Sequence, residues 1–206
     1  MNTSKYDVAV IDYNTGNVDS VVKAIKFFDK NVILTNNKDD IKNSKRIILP
    51  GQGSFQFGIQ ELNRLNLIDL IRNRVLNDKI PILGICLGMQ LFAEYGYENG
   101  KTQGLGFIKG TVERIKTKLK LPHIGWNEVN FKKKNELFNG IENKKDFYFV
   151  HSYYFECLNS EDNLASTNYD FEFSSIIRKN NVVGYQFHPE KSLKNGLKLL
   201  NNFLNI

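Results

Sequence analysis

The chain has 206 residues, of which 41% are hydrophobic and 24% are charged, a composition typical of a folded globular domain. Its formal net charge is +6, but basic residues are dense only at 132–134 and 144–145 and lack the aromatic interleaving of nucleic-acid-binding surfaces. We therefore expect one domain over residues 1–206 and no nucleic-acid partner.

Sequence signals for membranes, disulfides and metals are weak. No apolar run approaches the ~20 residues that cross a membrane, and the first residues lack a signal-peptide pattern. Two cysteines, Cys86 and Cys157, are too few for a secreted disulfide framework. The three histidines, His123, His151 and His188, lack metal-ligand spacing. We expect a cytoplasmic protein with no membrane contact, no metal and no cofactor.

The first half alternates short apolar strands with amphipathic helices. In chain order the pattern predicts a strand at 7–12, a turn at 14–17, a helix at 18–29, strands at 31–35 and 45–49, a long helix at 57–77 with a break near Asn66, a strand at 80–85 and a helix at 87–95. Strands joined by helical crossovers are parallel, so this half predicts a mostly parallel sheet with helices on both faces, a three-layer α/β fold.

The second half has a different character, with strand-like segments separated by turns. The predicted strands are 112–115, 126–131, 147–155, 171–178 and 182–188, and the chain closes with a helix at 193–204. Short connections favour antiparallel pairing, so these strands are expected as antiparallel additions to the sheet.

A candidate nucleophile lies where the strand at 80–85 meets the next helix. The run Gly84-Ile85-Cys86-Leu87-Gly88 describes a sharp strand-to-helix turn that exposes the thiol at a helix N-terminus, where the thiolate is favoured. His188 and Glu190 are two positions apart at the end of a predicted strand, so their side chains share a face. Glu190 is then placed to orient His188, which acts as the base. The alternative is a buried structural cysteine and a structural histidine.

A glycine-rich segment, Pro50-Gly51-Gln52-Gly53, follows the strand at 45–49 directly. Its backbone N–H groups, together with that of Leu87, are candidates for stabilising an oxyanion. This signal is weak alone, because most Pro-Gly pairs are plain turns.

Several motifs together resemble a known family. Gly84-Ile85-Cys86-Leu87-Gly88-Met89-Gln90 with His188-Pro189-Glu190 resembles the class I (triad) glutamine amidotransferases. Within them, the chain resembles the glutaminase subunits of imidazole glycerol phosphate synthase. The motifs that narrow the resemblance are Met89, Pro122-His123-Ile124-Gly125-Trp126-Asn127, Tyr148-Phe149-Val150-His151-Ser152-Tyr153-Tyr154 and the continuation from Lys191-Ser192 into the last helix.

The resemblance implies a flavodoxin-like fold and a role for each matching residue. Cys86 attacks the side-chain amide of glutamine, His188 protonates the leaving ammonia, and water releases glutamate from the thioester. The residues implied in binding glutamine or the oxyanion are Gly51, Gln52, Leu87, Gln90, His151, Ser152 and Tyr153. Trp126 and Asn127 are implied at the interface with a (βα)₈-barrel cyclase, which would form a heterodimer with this chain and receive the ammonia; spacing alone favours a core position for Trp126.

Three other functions remain open from the sequence. A paralogous glutaminase subunit could supply ammonia to a sugar amidotransferase, and a stand-alone cysteine hydrolase could act on peptides or thioesters. A non-catalytic regulatory subunit is disfavoured by the intact Cys86, His188 and Glu190.

Gln52 departs from the family, which usually has an apolar residue, often Val, between these glycines. The resemblance implies that this peptide rearranges to complete the oxyanion hole. Gln52 is therefore expected to alter the ratio of basal to partner-stimulated glutaminase activity.

Overall fold

A computed structural model describes residues 4–16 and 18–206; the start of the chain and Asn17 of the predicted 14–17 turn lie outside the described residues. The helices are α1 Val18–Lys26, α2 Lys38–Lys42, α3 Phe55–Arg64, α4 Ile68–Leu76, α5 Leu87–Gln90 and α6 Leu193–Leu204. The strands of the first half are β1 Val8–Ile11, β2 Val32–Thr35, β3 Ile47–Leu49, β4 Ile82–Ile85, β5 Tyr95–Gly96 and β6 Thr102–Gln103. Those of the second half are β7 Gly110–Arg114, β8 His123–Phe131, β9 Lys145–His151, β10 Tyr153–Cys157, β11 Asn163–Asn168, β12 Glu172–Lys179 and β13 Val182–Tyr185.

A nine-stranded sheet in the order β2-β1-β3-β4-β13-β12-β11-β8-β9 forms the centre of the molecule. The first five strands are parallel, and the last four continue the sheet in antiparallel pairs. The expected parallel sheet with antiparallel additions is therefore confirmed. A separate sheet of four strands has the order β10-β7-β5-β6.

Helices cover both faces of the parallel strands, as the sequence predicts. Val8 and Val10 of β1 pack in one apolar cluster with buried residues of α1 and α6. Ile11 of β1 and Ile82 of β4 lie in a second cluster with α3 and α4. This alternation follows from the two-residue side-chain period of a strand, which sends neighbouring apolar residues to opposite faces.

The break expected near Asn66 separates α3 from α4. Asn66 has a φ of 53°, and Ser54 caps the start of α3 by accepting a hydrogen bond from the Phe57 backbone N–H. Asn tolerates positive φ better than most residues, so it ends a helical run at low conformational cost. Among the described residues, no helix is long and apolar enough to cross a membrane.

Three element predictions were wrong in detail. The helix predicted at 87–95 ends at Gln90, and residues 95–96 form β5. The strand predicted at 147–155 is two strands, β9 and β10, which separate at Ser152 and join different sheets. The strand predicted at 182–188 ends at Tyr185, and it pairs in parallel with β4 instead of being an antiparallel addition only. In all three cases the apolar sequence pattern continues past the residue at which the chain changes direction.

Candidate active site

Cys86 occupies a strained turn between β4 and α5. Its φ and ψ are 54° and −108°, a conformation that L-residues rarely adopt and that costs about 1–3 kcal/mol. The adjacent glycines make the turn possible, because a side chain at Gly88 would overlap the Leu49 carbonyl and one at Gly84 would overlap the backbone of Gly88 and Met89. The predicted elbow is therefore present, and it presents the thiol at the carboxyl end of β4.

His188 and Glu190 lie beside this elbow, at the carboxyl end of β13. His188 Nδ1 and Glu190 Oε1 are 2.9 Å apart, and both side chains are almost fully buried. Because β13 ends at Tyr185, the contact is made by the 3₁₀ turn Pro189–Lys191 and not by strand alternation. The Ser192 hydroxyl fixes the turn by donating to the His188 carbonyl at 2.6 Å.

The surroundings of His188 favour its charged form. Burial by itself lowers the pKa of the imidazole, but the interactions with Cys86 and Glu190 outweigh burial and raise this pKa to about 10. His188 Nε2 forms no hydrogen bond of normal geometry with the described residues, although Cys86 is close enough to contribute to the shift. Such bonds are often long before substrate binds. The arrangement is suited to a nucleophile, an acid–base group and an orienting carboxylate.

A cavity of 270 Å³ opens onto the Cys86 thiol. It is lined by Gln52, Gly53, Cys86, Leu87, Gln90, Glu98, Pro122, Val150, His151, Ser152 and Tyr153. A larger, open depression of 810 Å³ lies over residues 131–143, away from the nucleophile. We assign the small-molecule substrate to the smaller cavity because it contains the reactive thiol.

Gln90 is fixed at the wall of this cavity by two hydrogen bonds. Its side-chain nitrogen donates to the Tyr153 carbonyl at 2.9 Å and to Gln186 Oε1 at 3.1 Å. Gln186 in turn is fully buried and directs its own side-chain nitrogen towards Cys86 Sγ at 3.8 Å. The two glutamines therefore connect α5, β10 and the end of β13 around the nucleophile.

One peptide unit controls the expected oxyanion donors. The Gly51 carbonyl accepts from the Leu87 N–H at 3.3 Å, and the Gln52 N–H donates to the Thr15 carbonyl at 2.9 Å. Both groups belong to the peptide that joins residues 51 and 52. In this arrangement neither expected N–H is available to a substrate oxygen, and rotation of that single peptide would release both.

A chain of hydrogen bonds runs from the cavity wall across β9 and β8. His151 Nδ1 is 2.8 Å from the Tyr153 carbonyl, His151 Nε2 is 3.0 Å from His123 Nδ1, and His123 Nε2 is 3.2 Å from Asn127 Nδ2. Burial lowers the pKa of His151 to about 3 and that of His123 to about 4, so both rings are neutral near pH 7. The carbonyl at one end and the amide N–H at the other are consistent with one tautomer for each ring, with Nδ1 as the donor.

The two residues expected at a partner interface have different environments. Trp126 is 49% exposed, not in the core as spacing alone favoured, and the neighbouring Ile124 is 59% exposed. The Asn127 side chain points away from this exposed face, because it donates to the Asn168 carbonyl at 2.9 Å and contacts His123. Trp126 is thus available for contact, whereas Asn127 supports the histidine chain.

Several residues around the thiol were not singled out from the sequence. Gln186 lies two positions before His188, and same-face spacing could have indicated it. Glu98 follows an irregular segment, and no local pattern connects it to Cys86; Pro122 was named only as the first residue of a family motif, without a role at the thiol. Glu98 Oε2 also accepts a hydrogen bond from the Phe55 N–H at 2.8 Å, at the start of α3.

The chain belongs to the class I glutamine amidotransferase family, whose model matches residues 9–206. The activity of this family is glutaminase activity, hydrolysis of the side-chain amide of glutamine, for which the buried cysteine, histidine and glutamate are suited.

Curated relatives match almost the whole chain. The imidazole glycerol phosphate synthase subunit HisH of Pelagibacter ubique is 44% identical, over 97% of this chain and 100% of that protein. The subunit HisH 1 of Campylobacter jejuni strain RM1221 is 45% identical, also over 97% and 100%. A solved glutamine amidotransferase superposes with a TM-score of 0.77 at 20% identity, covering 97% of both chains. PurLQS from Thermotoga maritima superposes at 0.72 with 17% identity, covering 96% of this chain and 97% of that one; these two structures support the fold alone.

Proposed function

We propose that this chain is the glutaminase subunit of an imidazole glycerol phosphate synthase. It hydrolyses L-glutamine to glutamate and ammonia and passes the ammonia to a synthase subunit with a (βα)₈-barrel fold. The observation that carries the proposal is the strained Cys86 beside the buried His188–Glu190 pair, at the mouth of a cavity sized for an amino acid. The near full-length relatives, both named as HisH subunits of imidazole glycerol phosphate synthase, support the choice of synthase.

The proposed reaction begins with attack of the Cys86 thiolate on the amide carbon of glutamine. The carbonyl oxygen becomes negative, and backbone N–H groups at Gln52 and Leu87 stabilise it. The carbon–nitrogen bond breaks as His188 donates its proton to the leaving nitrogen, which departs as ammonia and leaves a thioester. His188 then takes a proton from water, which attacks the thioester to release glutamate and regenerate the thiolate.

Polar groups of the cavity are suited to the two charged ends of glutamine. Glu98 supplies a carboxylate and Gln90 a side-chain oxygen for the α-amino group. The segment His151, Ser152 and Tyr153, where β9 and β10 separate, supplies backbone and hydroxyl groups for the α-carboxylate. Together they would hold the amide beside the thiol, which is the source of specificity for glutamine.

The hydrogen-bonded 51–52 peptide makes the free subunit a slow enzyme in this proposal. Stabilisation of an oxyanion needs the Leu87 and Gln52 N–H groups, and both are occupied by carbonyls. Contact with the synthase through the exposed Trp126 face would favour the rotated peptide. Ammonia would then be released mainly when a receiving subunit is present.

Substitution of the nucleophile tests the proposal. In the complex with its cyclase, Cys86→Ala is expected to abolish glutamine-dependent synthesis and to leave ammonia-dependent synthesis largely intact, because the second reaction needs no thiol. His188→Ala should behave in the same way. Steady-state assays with each nitrogen source measure the effect. Equal loss with both sources would show that Cys86 serves folding or docking instead.

The choice of synthase is tested by mixing this chain with a candidate partner. A cyclase should raise glutaminase activity when its own ribonucleotide ligand is present. Stimulation by a sugar amidotransferase instead would support the paralogous function, and peptidase activity without glutamine hydrolysis would support a stand-alone hydrolase. The expected cytoplasmic location is tested separately, by fractionating cells that express both proteins and measuring which fraction contains this chain.

A further inference from the structure

Two buried hydroxyl groups, those of Tyr13 and Thr15, lie close to Gly51 of the 51–52 peptide. The Tyr13 side chain is fully buried, and Thr15 is 3% exposed. A side chain at Gly51 would overlap the Tyr13 hydroxyl and would lie 3.2 Å from Thr15 Oγ1. A larger residue would fit here only if the Tyr13 side chain moved, so the Gly51 backbone and these hydroxyls are closely packed.

Neither hydroxyl has a normal acceptor in this arrangement. The Tyr13 and Thr15 hydroxyls lie close to each other, but neither forms a hydrogen bond of normal geometry with a described residue. Burial also raises the pKa of Tyr13, so its oxygen keeps its proton and remains a donor. A buried donor without an acceptor is unfavourable, so each such group in a folded protein requires a structural or functional explanation.

Rotation of the 51–52 peptide creates the missing acceptors. The rotation removes the Gly51 carbonyl from the Leu87 N–H and turns it towards Thr15. It also takes the Gln52 N–H away from the Thr15 carbonyl. The carbonyl oxygens of Gly51 and Thr15 then lack their present donors, and the two hydroxyl groups close to Gly51 are available to donate.

We propose that the Tyr13 and Thr15 hydroxyls are positioning groups that stabilise the rotated 51–52 peptide by donating to its carbonyl and to that of Thr15. The inference rests on the proposed glutaminase function. The hydroxyls touch no substrate; they act through the peptide that presents the Gln52 and Leu87 N–H groups. They stabilise the rotated peptide, which is the active arrangement, and contribute nothing to the resting arrangement described above, in which the Gly51 carbonyl accepts from the Leu87 N–H.

Tyr13→Phe tests this role because it removes only the oxygen. The rotated state loses a hydrogen bond, so kcat for glutamine hydrolysis should fall about tenfold, equivalent to about 1.4 kcal/mol. KM should change by less than about twofold, since the cavity wall is unaffected. The melting temperature should be unchanged or higher, because the resting fold loses an unpaired buried hydroxyl. Thr15→Val should act in the same direction, and the double variant should be the slowest.

Tyr185→Phe is the matched control. Tyr185 is equally buried and its hydroxyl is also without a hydrogen bond among the described residues, but its ring stacks on Phe187 and its hydroxyl is influenced by Arg178, not by the 51–52 peptide. The melting temperature of this variant should change as it does in Tyr13→Phe, and its kcat should stay within about twofold of wild type.

The measurements are made on the isolated chain and on its complex with the cyclase. An unchanged kcat for Tyr13→Phe would overturn the inference. A lower kcat with a lower melting temperature, absent from Tyr185→Phe, would also overturn it, because the hydroxyl would then support the resting fold. Failure of the cyclase to stimulate wild type contradicts the proposed function instead, and the ratio of variant to wild type in the isolated chain still decides the role of Tyr13.

Discussion

His188 is enclosed between a carboxylate and a thiol, and the two neighbours have separable effects on it. Glu190 contacts Nδ1 at 2.9 Å and helps to raise the pKa of the imidazole, whereas Cys86 lies on the reacting side. Glu190 therefore fixes the ring and stabilises its charge without transferring a proton in the proposed reaction.

Glu190→Gln should lower kcat for glutamine hydrolysis by less than Cys86→Ala or His188→Ala. We expect a loss of roughly 10–10³-fold, part of the 10²–10⁴ that general acid–base catalysis contributes. The substitution removes a negative charge next to the imidazole, so the pKa of His188 falls and the alkaline limb of the pH–rate profile moves to lower pH. A pH–rate profile unchanged in shape would show that Glu190 does not tune this group.

Gln52 gives a second prediction at the scale of one residue. Its side chain is exposed and forms no hydrogen bond within the described part of the chain, so it does not fix the 51–52 peptide in its present arrangement. Valine is stiffer at χ1 and restricts backbone rotation. Gln52→Val should therefore lower basal glutaminase activity, by roughly threefold, more than it lowers partner-stimulated activity. Identical ratios of basal to stimulated activity in the two proteins would contradict this expectation.

The catalytic residues could be proposed from sequence because each lies in a short motif with its own geometry. The Gly-x-Cys-x-Gly turn defines an elbow locally, and His188 and Glu190 are only two residues apart. Glu98 could not be found in this way, because its position in the cavity depends on the separate small sheet. The unpaired Tyr13 hydroxyl was likewise hidden, since its significance depends on which backbone groups already have partners.

At the scale of elements, the site depends on the close approach of α5 to β3. Gly88 of α5 lies against the Leu49 carbonyl, with no space for a Cβ atom. This contact fixes the direction of the chain immediately after the nucleophile. A side chain at position 88 would fit only if the backbone at Leu49 moved. Such a shift costs far more free energy than moving the end of a side chain.

Gly88→Ala should lower the free energy of unfolding by roughly 3 kcal/mol and reduce activity with it. Gly58→Ala in α3 is the matched control, because its new methyl group would meet only the side-chain ends of Leu87 and Leu91 at 3.1–3.3 Å. The control also gains helix propensity of about 0.5–1 kcal/mol, so it should be close to neutral. Urea unfolding of the three proteins measures the difference, and similar losses in both variants would disprove the backbone overlap.

Apolar periodicity predicted most elements but not their ends. It identified β1, β3 and β4, because each is buried on both faces by crossover helices. It joined β9 to β10, since the run is apolar and aromatic throughout and only Ser152 marks the change of sheet. It did not indicate β11, whose sequence Asn-Leu-Ala-Ser-Thr-Asn is mostly polar although it lies inside the sheet. Such a strand is specified by its neighbours and not by its own composition.

At the scale of the whole molecule, buried histidines connect the cavity to β8, in the antiparallel half of the sheet. His123 is covered by Tyr169, with ring centroids 4.0 Å apart, and by Phe149 at 5.0 Å. His151 lies between this ring and the Tyr153 carbonyl. A proton added to either ring would replace the acceptor that the next group in the chain requires, and it would be poorly solvated. The folded protein therefore needs both rings neutral.

This requirement predicts that the protein loses stability in mild acid. In the unfolded chain both histidines take up protons near pH 6.5, whereas in the folded protein the pKa is about 4 for His123 and about 3 for His151. The stability that these two neutral rings contribute is therefore complete above pH 6.5, and it is lost as the pH drops towards 4. Between pH 7.5 and 5.5 the loss should be roughly 1.4 kcal/mol for His151, and up to as much again for His123. His188 opposes part of this loss, because its folded pKa is raised to about 10 while its unfolded pKa is near 6.5. Its contribution to the free energy of unfolding should be larger at pH 5.5 than at pH 7.5 by roughly 1.4 kcal/mol. Urea unfolding at the two pH values measures the difference. A double variant, His123→Gln/His151→Gln, should be less stable at pH 7.5 but should lose no further stability at pH 5.5. His188→Gln should lose more stability than wild type over that interval, because it lacks the opposing contribution. Equal stability of the His188→Gln variant at both pH values would refute the neutral histidine pair, because that variant lacks the opposing contribution.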